Sequence, residues 1–160
     1  MGRMAAHPNI AERITETDRF GGAGRSAVVL LSRILLSAIF LASGVAKLLD
    51  LSGAAGHLSA QGVSHAKWLV LLAGLAEIAG GLSLVFGFLT RLGAAGLFLF
   101  LSVTTYLFHH FWDVGADQRV MQMSQFFKNL AIMGGLGMLV AFGPGRFSLD
   151  RKLSVRARHR

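Results

Sequence analysis

The segment at residues 67–88, KWLVLLAGLAEIAGGLSLVFGF, is almost entirely apolar and contains one carboxylate, Glu77, near its middle. A helix that rises about 1.5 Å per residue needs about twenty apolar residues to cross the hydrocarbon core of a bilayer, which is roughly 30 Å thick. The segment is long enough, so it predicts a membrane-spanning helix. An ionisable side chain at the centre of such a helix costs roughly 2.5–3.5 kcal/mol on insertion scales. We therefore expect Glu77 to face protein groups instead of lipid.

Three further apolar runs predict that the chain crosses the membrane four times. Only 15% of its 160 residues are charged, against roughly 25% in a soluble domain. The predicted spans are residues 27–49, 67–88, 92–111 and 122–142. The expected fold is an all-α, integral membrane four-helix bundle. It comprises an N-terminal tail at 1–26, a membrane domain at 27–145 and a basic C-terminal tail at 146–160.

The first tail is predicted to stay outside the helical bundle. Glycines dominate residues 21–24, and glycine weakens a helix by about 1 kcal/mol relative to alanine. We expect Pro8 and these glycines to interrupt any long helix, with a surface turn at 10–19. Pro144, between two glycines, is expected to end the fourth span, because proline cannot continue a helix.

The distribution of lysine and arginine predicts the orientation. The two tails and the turn at 87–91 contain eleven of these residues, whereas the other two loops contain two, if Lys67 at the edge of the second span is counted together with Arg119. Because cytoplasmic segments carry the excess of positive charge, we expect both termini to be cytoplasmic. The loops at 50–66 and 112–121 should then be exoplasmic.

The charge and composition also exclude some partners and chemistries. The net charge of +8 is carried mainly by the tails, where it sets orientation and contacts anionic lipid, so no nucleic-acid partner is predicted. The absence of cysteine excludes disulfides and thiolate chemistry. No metal site is predicted either, because the adjacent His109 and His110 point about 100° apart on a helix and no HxxxH or HxxE spacing supports one.

Every predicted span contributes a polar side chain to the outer half of the bundle. The candidate cluster comprises Lys47, Glu77, His109, His110, Lys128 and Asn129. Charges in apolar surroundings need partners, and residue counts from the span ends predict that Glu77 pairs with Lys128. Lys47 is the competitor, but Asp50 is close to it in sequence. Arg33, about two turns into the first span, is expected to extend towards the headgroups.

Two interpretations of this cluster stay open. The groups can satisfy one another and set helix register, or they can line a polar pocket that is open to the outer side of the membrane. In either case, the spacing of Gly74, Glu77 and Gly81 puts the carboxylate on a stripe of small residues. Such a stripe favours close contact with another helix, so we expect it to face inward.

Several motifs, in this order and spacing, resemble the DoxX family of small bacterial membrane proteins. They are SGVAK at 43–47, ExxGG at 77–81, GFLTR at 87–91, FKN at 127–129 and GPGRFSLD at 143–150. The resemblance covers residues 30–150. It implies a multi-pass protein of the bacterial inner membrane with four spans.

The resemblance also implies a function, which the residues leave open. A related group supplies a membrane subunit of a thiosulfate:quinone oxidoreductase, so one expectation is a quinone-associated accessory subunit in redox or sulfur metabolism. The quinone would be its cofactor and a soluble enzyme its partner. In that role Glu77, Lys128 and His109 or His110 would bind the quinone head and exchange protons. The alternatives are a non-enzymatic protein that binds or moves a small lipophilic or anionic ligand, and a structural partner for a soluble enzyme.

Overall fold

Four long helices and two short ones make up the part of the chain that the structure describes. The computed structural model describes residues 22–158, so the predicted surface turn at 10–19 lies outside the described residues. The helices are α1 (Gly22–Leu49), α2 (Leu51–Ala60), α3 (Ala66–Phe86), α4 (Thr90–Phe108), α5 (Ala116–Phe142) and α6 (Leu149–Arg158). A 3-10 turn at Phe111–Asp113 connects α4 to α5. By length and composition, α1, α3, α4 and α5 can each cross a membrane, which confirms the predicted four-span all-α bundle.

The helix ends differ from the predicted ones at both tails. Helix α1 begins at Gly22. Residues 22–24 are therefore helical, and the prediction that the glycines of this segment interrupt a helix is wrong for these three residues. The hydroxyl of Ser26 donates to the carbonyl of Gly22 at 2.6 Å within this first turn.

Two further helix ends differ from the predicted ones. Helix α5 begins at Ala116, with Asp117 in its first turn, where a negative charge is favourable. The basic C-terminal tail forms helix α6, which was not predicted.

Helices α1 and α3 make the most extensive contact among the described helices. A Cβ atom built on Gly44 of α1 would lie 2.7 Å from the carbonyl oxygen of Gly74 on α3, so no side chain separates the two backbones. Gly74, Glu77 and Gly81 are all buried, which confirms that the small-residue stripe of α3 faces inward. Glycine interfaces of this kind hold membrane helices together because they allow extensive van der Waals contact.

The hydrophobic core lies between α1, α3, α4 and α5. Its buried members are Phe40, Leu84, Ala94, Leu97, Leu101, Met133, Leu136 and Leu139. The outward faces are also apolar: Leu31, Leu72 and Leu99 each have more than half of their surface exposed. In water such a surface would be a liability, whereas in a bilayer it contacts acyl chains.

The bundle has two ends of different composition. The terminal face is formed by the start of α1, the turn at 87–89 and the segment 143–150. The loop face is formed by α2 and residues 109–115. At the loop face, Asp50 accepts a hydrogen bond from the backbone of Gly53 at 2.9 Å and caps α2. Asp50 therefore caps α2, whereas its position in the sequence had suggested an ion pair with Lys47.

Arg33 is fully buried near the terminal face. Its guanidinium donates to the carbonyl oxygens of Pro144 at 2.9 Å, Phe147 at 2.7 Å and Val85 at 3.5 Å. The expectation that Arg33 extends to the headgroups is therefore wrong. Segment 143–148 lies outside the helices, so its carbonyls need donors from elsewhere, and an arginine with five N–H groups supplies them.

Asp150 caps helix α4 from a distant part of the chain. Its carboxylate accepts from the backbone N–H groups of Leu89 at 2.8 Å and Thr90 at 3.0 Å, and from the Thr90 hydroxyl at 2.9 Å. Burial raises the pKa of Asp150, but the hydrogen bonds from Thr90 and Leu89 and the charge of Arg33 outweigh it, so the pKa lies below its usual range. Leu89 has a left-handed backbone with φ of 49°, which is unfavourable for a residue with a Cβ. The Asp150 contacts stabilise this turn.

Candidate functional site

An ion pair between Lys47 and Glu77 lies inside the bundle. The Lys47 ammonium donates to Oε2 of Glu77 at 2.9 Å, to Oε1 at 3.1 Å and to the hydroxyl of Ser43 at 2.5 Å. The Glu77 side chain is only 6% exposed and that of Lys47 is 29% exposed. Since an ammonium group has three protons, these contacts use all of its donors. The pair is locally neutral and hydrogen-bonded, which is the condition for keeping charge in an apolar interior.

The predicted pair between Glu77 and Lys128 is wrong. Lys128 is exposed, and its ammonium contacts the side-chain oxygen of Gln125 on its own helix. The close contact at Gly44 explains the difference, because it brings α1 against α3 at the level of Glu77: a Cβ on Gly44 would lie 3.2 Å from the Glu77 Cβ. The side chain of Lys47 reaches back along α1 to this level, as helical side chains do.

His109 and Asn129 extend the polar surface beyond the ion pair. The Nδ1 atom of His109 lies 2.8 Å from the side-chain carbonyl oxygen of Gln122. A carbonyl oxygen accepts, so Nδ1 carries the proton and, in the neutral ring, Nε2 is an acceptor. Buried Asn129 donates from Nδ2 to the hydroxyl of Thr105 at 2.9 Å. This second contact joins α5 to α4.

Two adjoining cavities surround these groups. The inner cavity, of about 250 Å³, is lined by Lys47, Glu77, His109 and Asn129 together with apolar residues of α1, α4 and α5. The outer cavity, of about 570 Å³, lies under α2 and shares Lys47 and His109 with the inner one. Most of its wall is apolar, and His57, Gln61 and Gln122 add polar atoms. Together the cavities have the size and the mainly apolar lining of a small-molecule site.

Four of the six candidate residues therefore share one cavity, and two do not. His110 lies outside both cavities, with its ring centroid 6.3 Å from that of Trp112 in an aromatic cluster of the loop face. Lys128 is also absent from both linings. Thr105 and Gln122 were not among the predicted site residues, although both are polar residues inside or at the edge of an apolar run, which is the signal that would have found them. Within residues 22–158, no three His, Asp or Glu side chains are close enough to hold a metal ion.

The four-span bundle with a buried ion pair beside apolar cavities defines an integral membrane protein, and comparison with known proteins identifies its family. The DoxX family model matches residues 28–110. The chain is 36% identical to inner membrane protein YqjF of Escherichia coli, over 79% of this chain and 92% of YqjF. It is 33% identical to inner membrane protein YphA of the same organism, over 82% of this chain and 94% of YphA.

A third relative is the uncharacterised membrane protein Rv3486 of Mycobacterium tuberculosis, which is 31% identical over 81% of this chain and 83% of that protein. No solved structure matches the chain. The chain belongs to the DoxX family, which confirms the resemblance read from its motifs. The predicted localisation, a multi-pass protein of the inner membrane, agrees with the four spans and with these relatives.

Proposed function

We propose that this DoxX-family protein binds a neutral, lipophilic molecule of the quinone class in the two adjoining cavities. The observation that carries the proposal is the position of the Lys47–Glu77 pair, which borders cavities whose walls are otherwise mainly apolar. Because the two charges cancel and the ammonium donors are all used, the site offers no free positive charge to an anion. This favours a neutral ligand over the anionic ligand that the sequence also left open.

The lining residues suit a quinone head and its tail in different ways. Asn129 uses one Nδ2 proton for Thr105 and has a second for a quinone oxygen, which accepts hydrogen bonds. The neutral His109 ring presents Nε2 as an acceptor in the inner cavity, so it would accept from a hydroxyl of the reduced quinone and donate to the oxidised one only when protonated. An imidazole gains or loses a proton near neutral pH, and reduction of a quinone takes up two electrons and two protons. His109, which lines the same cavity as Lys47 and Glu77, would exchange those protons. The apolar outer cavity accommodates the isoprenoid tail.

In this proposal the electrons come from a partner. The chain has no cysteine, and its own residues would bind the quinone and move protons. A soluble enzyme of redox or sulfur metabolism would carry the electron donor and dock against the membrane protein. Retention of quinone and of such an enzyme during mild purification is the expected result.

Quinone binding can be tested with a cavity-filling variant. Ala73 lines the outer cavity, so the ring in Ala73→Phe would occupy space that the ligand needs. We expect binding of a short-chain ubiquinone to weaken roughly tenfold or more, which corresponds to about 1.4 kcal/mol. Ala76→Phe, which is exposed on the same helix, is the matched control and should bind like the parent. Quenching of tryptophan fluorescence in detergent measures the dissociation constants. Absence of saturable binding to the parent, or equal loss in both variants, would contradict the proposal.

The proposal places the cavities on the exoplasmic side, with both termini in the cytoplasm. The reason is the eleven-to-two bias of lysine and arginine towards the tails and the turn at 87–91. Reporter fusions after Gly62 and Ala116 should therefore give exoplasmic signals, and fusions after Thr90 and Arg160 cytoplasmic signals. An exoplasmic signal from the fusion at Arg160 would reject this orientation.

A further inference from the structure

We propose that the terminal face contains a binding site for the phosphate of an anionic phospholipid, formed by Arg91, Arg146 and Arg151. This site is at the opposite end of the bundle from the quinone proposal and does not depend on it. The three arginines line a cavity of about 440 Å³. They belong to three different segments of the chain. Arg91 lies at the start of α4, Arg146 in the loop after α5 and Arg151 at the start of α6.

The arginines keep donors available for a ligand. All three are exposed, and a guanidinium has five N–H groups in a planar fork that matches phosphate oxygens. Arg91 uses Nη2 for the carbonyl of Ala141 at 3.3 Å, which positions its fork at the cavity. Ser148 and Ser154 also line the cavity.

The single carboxylate in the cavity wall does not cancel the positive charge. Asp150 is the one acidic lining residue, so three arginines leave a net charge of +2. Its oxygens are held by Leu89 and Thr90 through three hydrogen bonds. The carboxylate therefore acts as the cap of α4, and no other acidic residue of the cavity wall compensates the positive charge of the arginines.

Two apolar features favour a lipid over a free phosphate. Phe142, in the last turn of the spanning helix α5, lines the same cavity and is 75% exposed, so the phosphate site borders a surface that contacts acyl chains. On α6, Leu149 and Leu153 are exposed and four residues apart, which puts them on one face. Lys152 and Arg156 flank them. A short helix with this pattern lies in the headgroup layer.

The test compares headgroups on the purified full chain in detergent. Short-chain phosphatidylglycerol should bind more tightly than phosphatidylcholine with the same acyl chains. The double variant Arg146→Gln/Arg151→Gln should bind phosphatidylglycerol roughly 30-fold more weakly, as expected for two basic residues near a lipid surface. The control Lys67→Gln/Arg119→Gln removes the same charge from exposed positions at the other end of the bundle and should bind like the parent.

Three results would overturn the proposal. The first is equal affinity of the parent for phosphatidylglycerol and phosphatidylcholine. This comparison needs only the parent, so it tests the proposal even if the double variant does not fold. The second is an equal loss of phosphatidylglycerol binding in the control variant, which would indicate general charge attraction. The third is inorganic phosphate binding to the parent as tightly as phosphatidylglycerol, which would indicate a free-anion site.

Discussion

Replacing Glu77 with glutamine is expected to lower the stability of the detergent-solubilised protein by about 3 kcal/mol. Removing one member of a buried ion pair leaves the other charge without compensation, at a cost of about 3–5 kcal/mol. Lys47 would retain Ser43 and one acceptor oxygen in the substituted side chain, but it would lose the negative charge that compensates its own. Its side chain is 29% exposed, so partial hydration reduces the cost and puts it at the lower end of that range. Denaturant or thermal unfolding, followed by circular dichroism, measures the change.

A double-mutant cycle tests whether Lys47 is the partner. Lys47→Met alone should also destabilise the protein, because Glu77 would then be buried and unpaired. The double variant Glu77→Gln/Lys47→Met should recover part of the loss. Lys128→Met is the matched control: Lys128 is exposed and contacts Gln125, so its loss should change stability by no more than about 0.5 kcal/mol. Strictly additive losses for Glu77 and Lys47 would show that the pair does not form.

Gly44→Leu is expected to disrupt the packing of α1 on α3. Even the Cβ of alanine would lie 2.7 Å from the Gly74 carbonyl oxygen and 2.8 Å from a side-chain carbon of Ile78. A backbone oxygen cannot rotate away, so the helices must separate. We expect Gly44→Ala to cost about 1–3 kcal/mol, the usual range for overpacking, and Gly44→Leu to cost more. Separation would also pull Lys47 from Glu77.

Two other glycines supply the comparison for this prediction. Gly96, in α4, is exposed and has nothing within 4 Å of a built Cβ. Gly96→Ala should be neutral or stabilise the protein by up to about 1 kcal/mol, because alanine is the better helix former. At Gly81 the nearest atoms belong to the end of the Leu41 side chain, which can move, so Gly81→Ala should cost less than Gly44→Ala. Equal unfolding midpoints for all three alanine variants would refute the backbone contact.

The sequence by itself determined the number of spans and the inward face of α3. Both follow from rules that act along one helix: about twenty apolar residues cross a bilayer, and a carboxylate with small residues at spacings of three and four avoids lipid. The same reasoning singled out Lys47, Glu77, His109 and Asn129, which line one cavity, because a polar side chain in an apolar run is visible without knowledge of its neighbours. His110 and Lys128 satisfied that rule equally well, yet neither lines the cavities.

Only the tertiary structure decided which of these groups meet. Counting residues from the ends of a span estimates depth in the membrane, but it does not say which helices are neighbours or how each is rotated. The backbone contact between Gly44 and Gly74 determines that α1 and α3 are neighbours and how each is rotated. As a result, Lys47 is the residue that pairs with Glu77. Arg33 and Asp150 show the same limit at the terminal face. Their partners lie in segments that fold back from far along the chain, so no local pattern around either residue could reveal them.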